Sequence, residues 1–126
     1  MTTKKLGIYM DHLNARLMDW TTGTMETSLI ASKFNHEEKE GTLEKSESLM
    51  HNAEKHEEAT YYKQIAEVIR NYSDILLFGQ TQAKNELYNI LRADHRFEKI
   101  RIEVKPTDRL TENQQDALVR EHFYRR

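Results

Sequence analysis

Apolar and polar positions group into short segments along this chain. Residues 5–10 (Lys-Leu-Gly-Ile-Tyr-Met) read as a strand, and residues 15–20 (Ala-Arg-Leu-Met-Asp-Trp) follow with rough alternation. Residues 25–32 (Met-Glu-Thr-Ser-Leu-Ile-Ala-Ser) predict a third strand. Asp11-His12-Leu13-Asn14 and Thr21-Thr22-Gly23-Thr24 carry turn chemistry between them. Three runs joined by short turns predict an antiparallel meander. Met10, Met18, Met25 and Trp20 are expected on its packed faces.

The pattern then changes. Glutamate dominates residues 37–58, and apolar residues are sparse. We expect an exposed acidic loop at about 33–51, with room for partial helix within it, followed by a clear helix capped near Asn52. Tyr61, Tyr62, Ile65, Ala66, Ile69 and Tyr72 recur at three- and four-residue spacing, which makes one apolar stripe. The continuous run Ile75-Leu-Leu-Phe78, closed by Gly79, suits a strand buried on both faces. Thr81 is placed to cap a helix with Ala83, Leu87, Ile90 and Leu91 on one face. Residues 99–105 alternate charge with apolar side chains, and Pro106 should end that strand. Thr111-Glu-Asn-Gln114 is a capping box, opening a last helix through about Phe123. This order predicts an α/β domain with a ribonuclease H-like mixed five-stranded sheet. A three-strand antiparallel meander is joined by two parallel strands, with helices packed on the faces.

Composition narrows the chemistry. At 126 residues the chain reads as a single domain, 1–126. Zero cysteine excludes a disulfide scaffold, a thiolate zinc site, an iron–sulfur cluster and a cysteine nucleophile. Nineteen Lys and Arg against 21 Asp and Glu give a net charge of −2, which argues against a highly basic nucleic-acid coat protein. No apolar run is long enough for a membrane span, and no secretory leader is evident, so the expected location is the cytoplasm.

Right-handed crossovers would bring three strand ends together. Asp11 and His12 follow the first strand, Gly79, Gln80 and Thr81 the fourth, and Thr107, Asp108 and Arg109 the fifth. Ligands of open α/β sheets bind at such ends. Helix N-termini at Thr81 and Thr111, with Lys84 and Arg109, would favour an RNA phosphate or a small anion. Ordinary turn and cap chemistry is the competing account of the same residues. A metal-dependent nuclease would need several convergent carboxylates. Asp11, Glu103 and Asp108 are the acids near strand ends, and they form no clear triad in the sequence. His36, His51 and His56 lie in or beside the acidic stretch, but the five-residue step from His51 to His56 does not align them on one helical face. No catalytic residue, metal site or cofactor is expected. The acidic stretch 37–58 could dock a basic protein partner or simply be solvated.

Several segments together resemble a known family. Tyr61-Tyr-Lys-Gln-Ile-Ala-Glu67 precedes Ile75-Leu-Leu-Phe-Gly79 and Gln80-Thr-Gln-Ala-Lys-Asn-Glu-Leu87, and Thr107-Asp108 follows the last strand. In order and spacing these are similar to the middle domain of eukaryotic and archaeal class I peptide-chain release factors and of Pelota. Asp11-His-Leu-Asn-Ala-Arg-Leu17 looks like the small bacterial relatives of that domain. The resemblance runs from about residue 5 to 123. It implies a binding protein of translation, acting on ribosomes or tRNA, with a role in stress, ribosome hibernation or rescue. Release factors carry Gly-Gly-Gln after the third strand. This chain has no Gly-Gly pair; its loop has Gly41-Thr42, and its one Gly-Gln is Gly79-Gln80. The expected activity is therefore non-hydrolytic. Arg92, Arg96, Lys99, Arg101, Lys105, Arg109, Arg120, Arg125 and Arg126 make the C-terminal half the phosphate-facing part. A ribonuclease H-like metal-dependent nuclease or phosphohydrolase, and an adaptor using the acidic loop, are the alternative functions.

Overall fold

A computed structural model describes residues 3–32 and 47–124, with the backbone alone for 47–57. The chain order is β1 (Lys5–Met10), β2 (Asn14–Asp19), β3 (Glu26–Ala31), α1 (Glu47–Ile69), β4 (Asp74–Gly79), α2 (Ala83–Arg92), a 3-10 turn (His95–Phe97), β5 (Arg101–Pro106) and α3 (Glu112–Tyr124). The sheet runs β3-β2-β1-β4-β5. β2 is antiparallel to β1 and β3, whereas β4 is parallel to β1 and β5. This is the mixed five-stranded sheet expected from the sequence.

Strand β4 explains the layering. All six of its residues are buried. Its neighbours in the sheet satisfy its backbone, and helices must cover both faces. Leu6, Ile8, Met10, Leu17, Ile75 and Leu77 pack with Tyr61, Tyr62, Ile65 and Ile69 of α1 and with Ala83, Leu87 and Leu91 of α2. On the opposite face, Met18, Leu76 and Phe78 pack with Val119 and Phe123 of α3. Trp20 and Met25 lie partly buried against this second cluster.

Several details depart from the sequence expectation. Helix α1 starts at Glu47, so residues 47–50 are helical and Asn52 lies inside the helix. Glu, Leu and Met favour helix, which the density of charge obscured. The remainder of the expected loop, 33–46, lies outside the described residues. The N-cap of α2 is Gln82, without a side-chain cap bond; Thr81 Oγ1 accepts from the Ala83 amide at 3.3 Å. Ile90 is 49% exposed, because the side of α2 turned inward carries Ala83, Lys84, Leu87 and Leu91. Strand β5 begins at Arg101, since the Ile100 amide is held by the Phe97 carbonyl at 3.0 Å. Pro106 is the last residue of β5, opposite Gly79. β5 is an edge strand, where a missing N–H is tolerated. The capping box forms as expected: Thr111 Oγ1 accepts from the Gln114 amide at 3.2 Å, and Gln114 Oε1 accepts from the Thr111 amide at 2.9 Å.

Two glycines permit the close approaches that set this geometry. A Cβ on Gly7 would collide with the Val119 side chain, so α3 lies directly on β1. A Cβ on Gly79 would strike the backbone carbonyl of Met10, and Gly79 has φ of 148°. We expect Gly79→Ala to cost roughly 3 kcal/mol, from backbone strain plus an immovable obstacle. Gly7→Ala should cost about 1–2 kcal/mol, because only a side chain must shift. Urea unfolding of both variants checks this; a smaller loss at Gly79 than at Gly7 would contradict it.

Candidate nucleic-acid interface

Because β1, β4 and β5 are parallel neighbours, their C-terminal ends lie on one edge. That edge brings Asp11-His12, Gly79-Gln80-Thr81 and Thr107-Asp108-Arg109 into adjacent loops. The Thr107 amide donates to the Gly79 carbonyl at 3.0 Å and ties two of them together.

Turn chemistry occupies much of Asp11. Its Oδ1 accepts from the amides of Leu13 and Asn14, both at 2.8 Å. The Tyr61 hydroxyl donates to the Asp11 carbonyl at 2.8 Å. His12 places Nε2 3.2 Å from a Glu86 oxygen. The Tyr62 hydroxyl donates to Glu86 Oε1 at 2.6 Å. A hydrogen-bonded cluster thus joins the β1–β2 turn to the first turns of α2 and to the middle of α1. The Tyr62 hydroxyl, with a contribution from His12, holds the Glu86 carboxyl below its ordinary range.

The other sequence-predicted residues divide by exposure. Gln80, Asp108 and Arg109 are exposed. Lys84 is only 2% exposed, and its ammonium donates to the Thr81 carbonyl. Its charge therefore acts from beneath the surface, not at it. Thr107 Oγ1 is buried and has no hydrogen-bond partner among the described residues. The Leu110 amide donates to Tyr9 Oη at 3.1 Å, which fixes the approach to α3.

Sequence reasoning missed Arg16, Tyr61, Tyr62 and Glu86. Arg16 Nη1 reaches Asp116 Oδ1 at 2.9 Å and Gln115 Oε1 at 3.2 Å, locking α3 to β2. Nothing local in the sequence announces that pairing across a hundred residues. The tyrosines did leave a signal. Two phenols on a core stripe need partners for their hydroxyls, and the end of the stripe is where such partners lie.

Among the described residues, no group of three or more His, Asp or Glu side chains is arranged to hold a metal ion. Glu103 instead lies 3.4 Å from His122 of α3. His36 and the acidic loop fall outside the described residues, as do the side chains of His51 and His56. No helix among the described residues is long and apolar enough to cross a membrane.

The Pelota proteins share this arrangement of elements. The structure of Thermoplasma acidophilum Pelota superposes with a TM-score of 0.53 over 90% of this chain, at 19% identity. That of Archaeoglobus fulgidus Pelota gives 0.60 over 97%, at 8% identity. The fold is Pelota-like. The match spans 31% and 32% of those two proteins, so this Pelota-like unit corresponds to about a third of their length. Neither a family model nor a curated protein sequence matches the chain.

The buried phenols give a pH test. Burial, then the Asp11 charge, pushes the Tyr61 hydroxyl above its ordinary 10.0. Burial with Glu86 does so at Tyr62, and burial with Asp19 at Tyr72. A raised folded pKa means that the stabilisation is complete below about 10 and declines above it, as the unfolded chain ionises and the folded chain does not. Stability should fall with pH beyond 10, and tyrosinate absorbance should show a delayed phase. Tyr62→Phe should shrink that phase and shallow the stability slope; an unchanged titration would contradict the arrangement.

Proposed function

We propose that this Pelota-like domain is a translation-associated binding module that contacts ribosomal RNA or tRNA without hydrolysing a substrate. The observation that carries the proposal is the single edge formed by three parallel strand ends. There Gln80, Asp108 and Arg109 are exposed in adjacent loops, and Lys84 is buried in the first turn of α2. Arg109 would pair with a phosphate, while the Gln80 side-chain amide would donate a hydrogen bond to one of its remaining oxygens. His12 and Asp11 shape the adjoining turn, and their partners Glu86 and Tyr61 hold it rigid. The likeness to Pelota supports the translation context at the level of the fold. The absence of Gly-Gly-Gln supports binding without peptide release. Action in stressed, hibernating or stalled ribosomes, in the cytoplasm, is part of the same proposal.

Backbone contacts of this kind weaken as salt rises. The protein at native level should co-sediment with ribosomes at low salt, more so from starved cells, and dissociate as ionic strength increases. Arg109→Glu should reduce the bound fraction several-fold without changing thermal stability, since the residue is exposed. A protein that stays at the top of the gradient in every condition would overturn the proposal.

A further inference from the structure

The two edges of the sheet are built differently. β5 carries Arg101, Glu103 and Lys105 at alternate positions and ends on Pro106. Charges and proline are devices that keep a free edge strand from pairing with another chain. β3, at the other edge, has no proline and only one charge, Glu26 at its start. Five of its six residues are exposed. Leu29 is 77% exposed, against 50% for Leu13 and 49% for Ile90.

The backbone of that edge is open as well. In an antiparallel ladder, hydrogen-bonded pairs alternate with pairs that make no such bond. The Ser32 amide donates to the Leu13 carbonyl at 2.7 Å. Those two residues continue the register in which Asn14 faces Ala31 and Arg16 faces Leu29. On the other side of β2, the Trp20 amide donates to the Lys5 carbonyl at 3.0 Å. β2 therefore bonds β3 through Ala15, Leu17 and Asp19, opposite Ile30, Ser28 and Glu26. Thr27, Leu29 and Ala31 turn their amides and carbonyls away from β2, and no strand lies beyond them among the described residues.

This outward set is symmetric about Leu29. An antiparallel copy of the same strand, centred there, sets Leu29 opposite Leu29, Thr27 opposite Ala31 and Ser28 opposite Ile30. Every outward amide then meets an outward carbonyl. Glu26 falls opposite Ser32, about 20 Å from the Glu26 of the other copy, which is well beyond the Debye length. No like charges are opposed, and the most exposed aliphatic side chain of the strand is covered by its own copy. The occupant that the strand itself specifies is thus a second copy of this chain. We propose that two copies join by antiparallel pairing of β3 with β3, making one continuous ten-stranded sheet with Leu29 at the two-fold axis. The axis stands perpendicular to the sheet, so the interface is isologous and closed. The two strand-end edges then face opposite directions. One strand pair buries less than a standard interface, so self-association is expected in the micromolar range.

The test is sedimentation equilibrium of the full chain over a range of concentrations. The mass should rise from that of one chain to twice that value. Leu29→Lys sets like charges directly opposite each other at the axis and should weaken association about tenfold or more. Leu29 is exposed in the single chain, so thermal stability of the monomer should not change. Ile90→Lys, at an exposed position on α2, should leave association unaltered. The register has a readout of its own, because the chain has no cysteine. Residues of a hydrogen-bonded antiparallel pair lie about 5.5 Å apart at Cα, within disulfide reach. Leu29→Cys should therefore give a covalent dimer under diamide oxidation. Thr27→Cys should not, since its two copies would sit about 14 Å apart. A protein that stays monomeric up to several hundred micromolar overturns the proposal. So does a dimer indifferent to Leu29→Lys, or one that crosslinks as well through Thr27→Cys as through Leu29→Cys.

Discussion

Strand β4 is the constraint on which the rest depends. Six consecutive buried residues leave no face of it for water. Its backbone groups must be paired on both sides, which β1 and β5 do in parallel register. Both its faces need cover, and one helical layer cannot supply it. Hence α1 and α2 take one face and α3 the other. Parallel pairing then requires crossovers of some length, and the helices supply those as well. The tight fit is visible at Gly79, whose place beside the Met10 carbonyl no other residue could take without strain.

The two faces differ in chemistry. The α3 face is small and closed by an ion pair, with Arg16 and Asp116 joining strand to helix at 2.9 Å. The side chains of that pair are 14% and 23% exposed, so it is screened less than a surface pair and fixes the helix in place. The α1–α2 face ends in phenols. Tyr61, Tyr62 and Tyr72 each present an apolar ring to the core and a hydroxyl to a carboxylate or carbonyl outside it. Asp19, which receives the Tyr72 hydroxyl, is held below its ordinary range: burial opposes this, but the Thr21 amide and Tyr72 outweigh it. These bonds pin the loops around the sheet to the helix behind them. The strand-end edge is therefore supported by core residues rather than by the loops alone, which suits a preorganised binding surface.

Charge is distributed to match. The acidic residues cluster between 37 and 58, while the cations that follow Tyr88 lie around α2, β5 and α3. A net charge of −2 thus divides unevenly: 9 Lys and Arg against 7 Asp and Glu follow Tyr88, and 10 against 14 precede it. For a nucleic-acid partner the local field matters more than the sum, because the Debye length is about 8 Å under physiological conditions.

Much of this fold was legible in the sequence because its signals are local. Periodicity marked the strands, the buried run at 75–78 marked the sheet centre, and the Thr111–Gln114 box marked the start of α3 within a residue. The handedness of crossovers then ordered the strands, and with them the loops of the candidate edge. The sequence by itself determined those elements, their order and which residues share the strand ends. Only the tertiary structure decided what those residues do there. Lys84 reads as a surface cation at a helix start, yet lies 2% exposed beneath it. Glu86 and Tyr62 read as a first-turn acid and a core aromatic, yet meet at 2.6 Å. A recess between α2 and β5 is lined by Tyr88 and Phe97 from one segment and Ile102 from another. The physical reason is common to all three. Secondary structure follows from contacts a few residues apart, whereas burial and side-chain pairing follow from how separate elements pack, which no local pattern encodes.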